Sequence, residues 1–324
     1  MCTAITFHTK EHYFGRNLDL EHSYGEQVVI TPRNVPLEIR RVGKLARHYA
    51  MIGVACVSGG YPLYYEATNE KGLSMAGLNF PHSAHYREYQ PGMDNIAPFE
   101  LIPWVLGRCG NLAQARACLE RVNVLREGFS PELPLTALHW MVADGEGALT
   151  LEPGERGLEI FENKIGVLTN EPPFPWQMTN LNNYLNLTSR QPENRFSTLA
   201  ELSAFSRGMG GIGLPGDLSS ASRFVRASFV KLNGVCGHSE EESVSQFFHT
   251  LNAVEQQRGC VRLEGGQYEI TRYSSCCNTC RGIYYYTTYD NPNPTAVELR
   301  REDLEGTELI SYPMLTNMRV CRQN

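Results

Sequence analysis

Residues 1–20, MCTAITFHTKEHYFGRNLDL, decide how this chain is read. Cys2 to Phe7 alternates in character, His8 to His12 is polar, and Tyr13 to Asp19 returns with aromatic and apolar residues. That is the pattern of two strands joined by a turn. The hairpin begins at a cysteine preceded by one methionine. Removal of Met1 would put a thiol and a free α-amine on Cys2, groups that ordinarily titrate near ~8.5 and ~8, so one residue would carry a nucleophile and its base. Such a pair suits attack on an acyl carbon. On the returning strand, Arg16 would favour a thiolate and Asp19 could receive or orient the ammonium group. Residues three apart on a regular strand face opposite sides, so the reading expects a bulge or strand end near Asn17 and Leu18 if both are to reach Cys2.

The rest of the composition narrows the chemistry. With 324 residues, 42% hydrophobic and 20% charged, the chain has ample material for a large core. A net charge of −6, without blocks of like charge, offers no footprint for nucleic acid or an anionic membrane. The first residues carry no cationic leader, and apolar runs such as Met51 to Val57 are too short to span a bilayer. The expectation is a cytoplasmic protein whose ten cysteines are reduced thiols. Cys277 and Cys280 stand at Cys-x-x-Cys spacing, but the nearest further candidates, Cys260 and His249, form no second close pair, so no metal site is expected.

Further strands are expected over Glu26 to Thr31, Tyr49 to Val57, Pro62 to Thr68 and Leu73 to Phe80, the last two joined by the tight-turn sequence Asn69-Glu-Lys-Gly72. Pro98 sits near a helix start, and Leu112 to Val122 has apolar residues at helical spacing. A second meander runs through Leu135 to Ala143, Ala148 to Glu152, Leu158 to Glu162 and Ile165 to Leu168. Helices follow at Ser219 to Leu232 and at Ser239 to Val254, where Ser239 and Glu242 have capping-box spacing. Tyr268 to Ser274 and Ile283 to Tyr289 return to strand. Sheets and helices thus succeed one another without βαβ alternation, an α+β layered pattern.

Two other motifs are set aside. Gly211-Ile-Gly-Leu-Pro-Gly216 has dinucleotide-loop spacing, but no apolar strand precedes it and Pro215 lacks an N–H for phosphate, so it reads as a loop presenting the next helix. That helix carries Arg223 and Arg226 on roughly one face. His139 reads as a buried strand histidine rather than the base of a thiol dyad.

The ordered motifs Met-Cys-Thr at 1–3, Phe14-Gly-Arg-Asn-Leu-Asp19, Asn69-Glu-Lys-Gly72, Ala76-Gly-Leu-Asn-Phe-Pro81, Leu138-His-Trp140, Val167-Leu-Thr-Asn170, Gly213-Leu-Pro-Gly-Asp217, Ser222-Arg-Phe224 and Ile283-Tyr-Tyr-Tyr286 run almost end to end. In these the chain resembles the choloylglycine hydrolases, N-terminal-nucleophile cysteine enzymes that include bile salt hydrolases and penicillin V acylases. The resemblance implies a four-layer αββα sandwich with two stacked antiparallel sheets, one domain over residues 1–324, and removal of Met1. It makes Cys2 the nucleophile and sets Arg16 and Asp19 beside it. Asn79 and Asn170 fall to oxyanion stabilisation, and Arg223, not Arg226, to the second active-site arginine.

The implied reaction is cleavage of the amide of a glycine- or taurine-conjugated bile salt through a thioester, with no cofactor or metal. The substrate is a small molecule. Leu18, Leu20, the loop around Ser58 and Tyr61, and Phe129 and Leu133 in the Arg126 to Leu135 loop are the expected pocket walls. The family's habit implies a homotetramer. Two other readings stand beside this one: a penicillin V acylase, and a non-catalytic steroid-binding protein on the same scaffold.

Overall fold

A computed structural model describes all 324 residues. Two antiparallel sheets dominate it. The six-stranded sheet runs Val167–Leu168, Cys2–His8, His12–Leu20, Ile270–Asn278, Ile283–Thr288, Asn291–Glu298. The eight-stranded sheet runs Gly157–Glu162, Gly147–Gly154, Leu138–Asp144, Ser74–Asn79, Tyr61–Asn69, Met51–Ser58, Gln27–Thr31, Ile310–Pro313. The central strands are apolar on both faces because both faces are covered. Ala76 and Leu78 point into the core shared with the other sheet, whereas Leu73 and Met75 point into the core under the helices. Met141 and Ala143 alternate in the same way with Trp140 and Val142.

Helices cover the outer faces. Ser220–Asn233 and Glu240–Asn252 lie on the six-stranded sheet, and Leu101–Arg108 lies on the eight-stranded one. This is the expected α+β, four-layer αββα sandwich. The capping box forms: the Ser239 hydroxyl accepts from Glu242 N at 3.2 Å, and the Glu242 carboxylate accepts from Ser239 N at 3.2 Å. At the Asn69–Gly72 turn, Gly72 takes φ +92°, a conformation that favours glycine. Gly15 is required for a different reason, since a Cβ there would collide with the Ser275 carbonyl of the neighbouring strand.

Several expectations need correction. The helix begun at Leu112 ends at Leu119, and Val122–Val124 instead pairs in parallel with Asp94–Ile96. Asn291–Glu298 and Ile310–Pro313 are strands that the sequence reading passed over. Each contains proline and each forms a sheet edge, where a missing N–H costs no ladder bond. The irregularity expected near Asn17 and Leu18 lies in the neighbour, between Thr271 and Tyr273. The His12–Leu20 strand itself pairs with Cys2–His8 without a break, from His8 opposite His12 to Cys2 opposite Leu18.

Candidate active site

The unbroken register places groups on Cys2 from two sides. Arg16 and Leu18 share the inter-sheet face with Cys2, whereas Asn17 and Asp19 share the helix-covered face with Thr3. Cys2 ends its strand, so both faces stay within reach of it. Arg16 is fully buried, and its Nη1 donates to Gly77 O at 2.6 Å and Tyr65 O at 3.0 Å on the opposite sheet. Burial works against the Arg16 charge, but Cys2, Tyr273, Glu66 and Asp19 together hold it above its ordinary value.

On the other face, Asp19 is also fully buried. Thr271 Oγ1 donates to its Oδ1 at 2.6 Å, Arg223 Nη1 stands 3.9 Å from its Oδ2, and that oxygen has no hydrogen-bond partner. Burial raises the Asp19 carboxyl, opposed first by Arg223 and then by the terminal ammonium.

Arg223 ties these pieces together. It leaves the helix that Ser219 caps, with Nη1 donating to Cys2 O at 2.5 Å and Thr3 Oγ1 at 2.6 Å, and Nη2 donating to Asn170 Oδ1 at 2.9 Å. Burial lowers its pKa, with Asp19 and Cys2 opposing. The same Asn170 Oδ1 accepts from Cys2 N at 2.7 Å. Asn170 Nδ2 commits one hydrogen to Asn79 O at 2.7 Å, leaving the other. The Asn79 side chain, exposed at the end of its strand, is held by no hydrogen bond and faces the cavity.

Met1 occupies the mouth of this arrangement. Its ammonium donates to Asp19 O at 2.9 Å and pairs with Glu269, and burial lowers its pKa from the ordinary value of 8.0. While Met1 is attached, Cys2 N is an amide and has no lone pair to act as a base.

Beside Cys2 opens a cavity of about 540 Å³. Leu18, Leu20, Phe129 and Leu133 line it, but Ser58 and Tyr61 do not. Ser58 lies at the tip of its hairpin, opposite Tyr61. The Tyr61 ring stands behind the wall, 6.0 Å from Phe99 and 5.9 Å from Phe129, and supports both. Sequence reasoning missed Phe99, Ile102 and Tyr65 in the wall and Thr271 and Glu269 near the amine. No local signal marks them, because each depends on a strand or helix far away in the chain.

The set-aside motifs take structural places. The His139 ring nitrogens bond Thr169 O at 2.8 Å and Glu152 at 3.1 Å, and the ring stacks on Phe80. Arg226 turns away, with Nε donating to Ala253 O at 2.7 Å. Cys276 and Cys277 are buried and Cys280 is exposed, and the structure groups no three His, Cys, Asp or Glu side chains as a metal would need.

Residues 2–312 match the family described as linear amide C–N hydrolases, choloylglycine hydrolase family. A bile salt hydrolase/transferase of Lactiplantibacillus plantarum is 52% identical over 314 residues, covering 97% of each chain. A conjugated bile acid hydrolase of Lactobacillus acidophilus is 34% identical, covering 96% of this chain and 100% of that one. Among solved structures, a mutant conjugated bile acid hydrolase from Clostridium perfringens superposes with a TM-score of 0.92 at 35% identity, covering 100% of both chains. Penicillin V acylase from Agrobacterium tumefaciens shares the fold, with a TM-score of 0.73 at 21% identity over 96% of this chain and 91% of that one.

Proposed function

The chain belongs to the choloylglycine hydrolase family of linear amide C–N hydrolases, and from that premise we propose that it hydrolyses glycine- or taurine-conjugated bile salts with Cys2 as nucleophile. The observation that carries the reading is the seating of Cys2. Its nitrogen lies 2.7 Å from Asn170 Oδ1, within the Asp19–Arg223 cluster, and its side chain borders a cavity walled by leucines and aromatics.

Removal of Met1 converts Cys2 N from an amide into an amine at the same place. The amine takes the thiol proton, and sulfur attacks the amide carbonyl carbon. Asn79 Nδ2 and the remaining Asn170 N–H donate to the oxygen as it becomes negative. Asp19 and Asn170 Oδ1 orient the ammonium, which delivers the proton to the departing nitrogen of glycine or taurine. The C–N bond breaks and a thioester remains. A water molecule, deprotonated by the same amine, then adds to the thioester carbonyl, and sulfur leaves with the bile acid released. Arg16 offsets the negative sulfur, while Arg223 holds Cys2 O, Thr3 and Asn170 in register. The apolar cavity suits a rigid steroid acyl group.

Side-by-side turnover of a glycine-conjugated bile salt and penicillin V tests the substrate assignment, and a large preference for penicillin V overturns it. Cys2→Ala abolishes turnover while sparing steroid binding. Retained hydrolysis in that variant would refute the mechanism.

We further propose one domain over residues 1–324 in a cytoplasmic homotetramer. Support for self-association comes from Leu185, Phe196, Leu199 and Phe205, each more than four-fifths exposed along one segment. Light scattering coupled to size exclusion measures the mass. A monomer at micromolar concentration would refute the assembly.

A further inference from the structure

Arg16 needs explaining before Cys2 does. A guanidinium buried completely between two sheets is costly unless an anion accompanies it. The one carboxylate within ion-pair distance is Glu66, itself buried, with Oε2 at 3.9 Å from Arg16 Nε.

Glu66 lies on the Tyr61–Asn69 strand of the eight-stranded sheet and reaches across the sandwich. Its carboxylate is gripped by three hydroxyls of the six-stranded sheet. Tyr273 donates to Oε2 at 2.6 Å, Ser275 donates to Oε1 at 3.2 Å, and the Tyr284 hydroxyl also donates to Oε1. Ser275 Oγ in turn accepts from Arg16 N at 3.1 Å. On the arginine, Nη1 is committed to two backbone carbonyls, and Nη2 has no partner at all. Arg16 and Cys2 line the same cavity.

We infer that Glu66 is a positioning residue for the reaction, holding the Arg16 guanidinium in place from behind and offsetting the charge that Cys2 experiences, an inference that rests on Cys2 being the nucleophile. Three hydroxyl donors suit an ionised carboxylate, which accepts hydrogen bonds only. Burial pushes the Glu66 carboxyl up, with Arg16 foremost among the groups opposing it, followed by Tyr273, Tyr284 and Ser275. Cys277 is the remaining titratable group near Glu66. Around Cys2 the charged groups are Arg16, Asp19, Arg223 and the terminal amine, with Glu269 beside the amine.

The purpose of such a pair is graded charge. An unaccompanied Arg16 would hold sulfur as a strongly stabilised thiolate, a weaker nucleophile and a better leaving group from the tetrahedral intermediate. With Glu66 behind it, Arg16 supports the thiolate less strongly.

The test uses the enzyme with Met1 removed. Glu66→Gln keeps the shape and deletes the charge. Carboxamidomethylation by iodoacetamide is followed against pH on the Cys2 peptide by mass spectrometry, which separates it from exposed Cys260, Cys280 and Cys321. The pH midpoint for Cys2 is expected to fall by about one unit. The acid limb of kcat/KM should move with it, and Glu66→Asp should restore both. In an Arg16→Met background the shift caused by Glu66→Gln should vanish.

A folded Glu66→Gln variant with an unmoved midpoint overturns the inference. Should that variant fail to fold, the double change Tyr273→Phe with Tyr284→Phe strips the carboxylate of two donors and must move the midpoint, upward where Glu66 keeps its charge and downward where it takes up a proton. An unmoved midpoint there overturns it equally. Failure of the parent reading looks different: alkylated Cys2 would leave turnover intact.

Discussion

Replacing Asn79 by alanine separates catalysis from stability in a way few changes at this site allow. The Asn79 side chain is exposed, accepts and donates no hydrogen bond within the protein, and lies at the last position of its strand. Its backbone carbonyl, which accepts from Asn170 Nδ2 at 2.7 Å, survives the substitution. Folding stability should therefore change by no more than about 0.5 kcal/mol. Catalysis should suffer much more. An amide donor to a developing oxyanion is worth about 3 kcal/mol in the transition state. At about 1.4 kcal/mol per decade, that is a loss of roughly 150-fold. Because the carbonyl becomes fully charged only in the transition state, the loss belongs in kcat, with KM nearly unchanged. The assay is steady-state release of glycine from a glycine-conjugated bile salt, with urea unfolding in parallel. A fall in kcat of less than about fivefold, or an equal loss of stability, would refute the assignment of Asn79 to the oxyanion.

Phe129→Ala removes a cavity wall that packs 5.2 Å from the Phe99 ring. It should raise KM by roughly 5- to 30-fold, for about 1–2 kcal/mol of lost apolar contact, with kcat within about twofold; steady-state kinetics checks this, and an unchanged KM would contradict it. His12, buried between Thr6 and Thr279, is lowered from its ordinary 6.5 to about 4, chiefly by burial. Between those values the unfolded chain binds a proton that the folded one refuses. Stability from this group is therefore complete above about pH 6.5 and falls by about 3 kcal/mol as pH drops toward 4. Urea unfolding across that range should show this slope, and His12→Asn should lack it. Gly15→Ala should cost about 3 kcal/mol or more by driving a methyl group into the Ser275 carbonyl. A melting temperature like that of the parent would contradict the close approach of those strands.

Much of the fold was legible because it rests on local regularities. Short apolar runs bounded by turn residues mark the strands through Ala76 and Leu78 or Met141 and Ala143, and Ser239 with Glu242 announces a helix start. The two C-terminal edge strands were not legible, since Pro292, Pro294 and Pro313 look like strand breakers until the position at a sheet margin is known. The proposed site divides along similar lines. Cys2, Arg16 and Asp19 lie on one hairpin, so their proximity follows from short-range pairing, and the motifs around Asn79, Asn170 and Arg223 carried the rest by resemblance.

The linear chain by itself determined the alternating faces, the turn residues, the helix caps and the placement of a thiol one residue from the start. Those depend on dihedral preferences and on side chains a few positions apart. Tertiary structure alone decided which charges meet. Glu66 reaches Arg16 across the sandwich, Asn170 reaches the Cys2 nitrogen from 168 residues away, and Phe99 joins Phe129 in one wall. Charge–charge and hydrogen-bond energies depend on distance and burial, and neither is set until the two sheets have closed on each other.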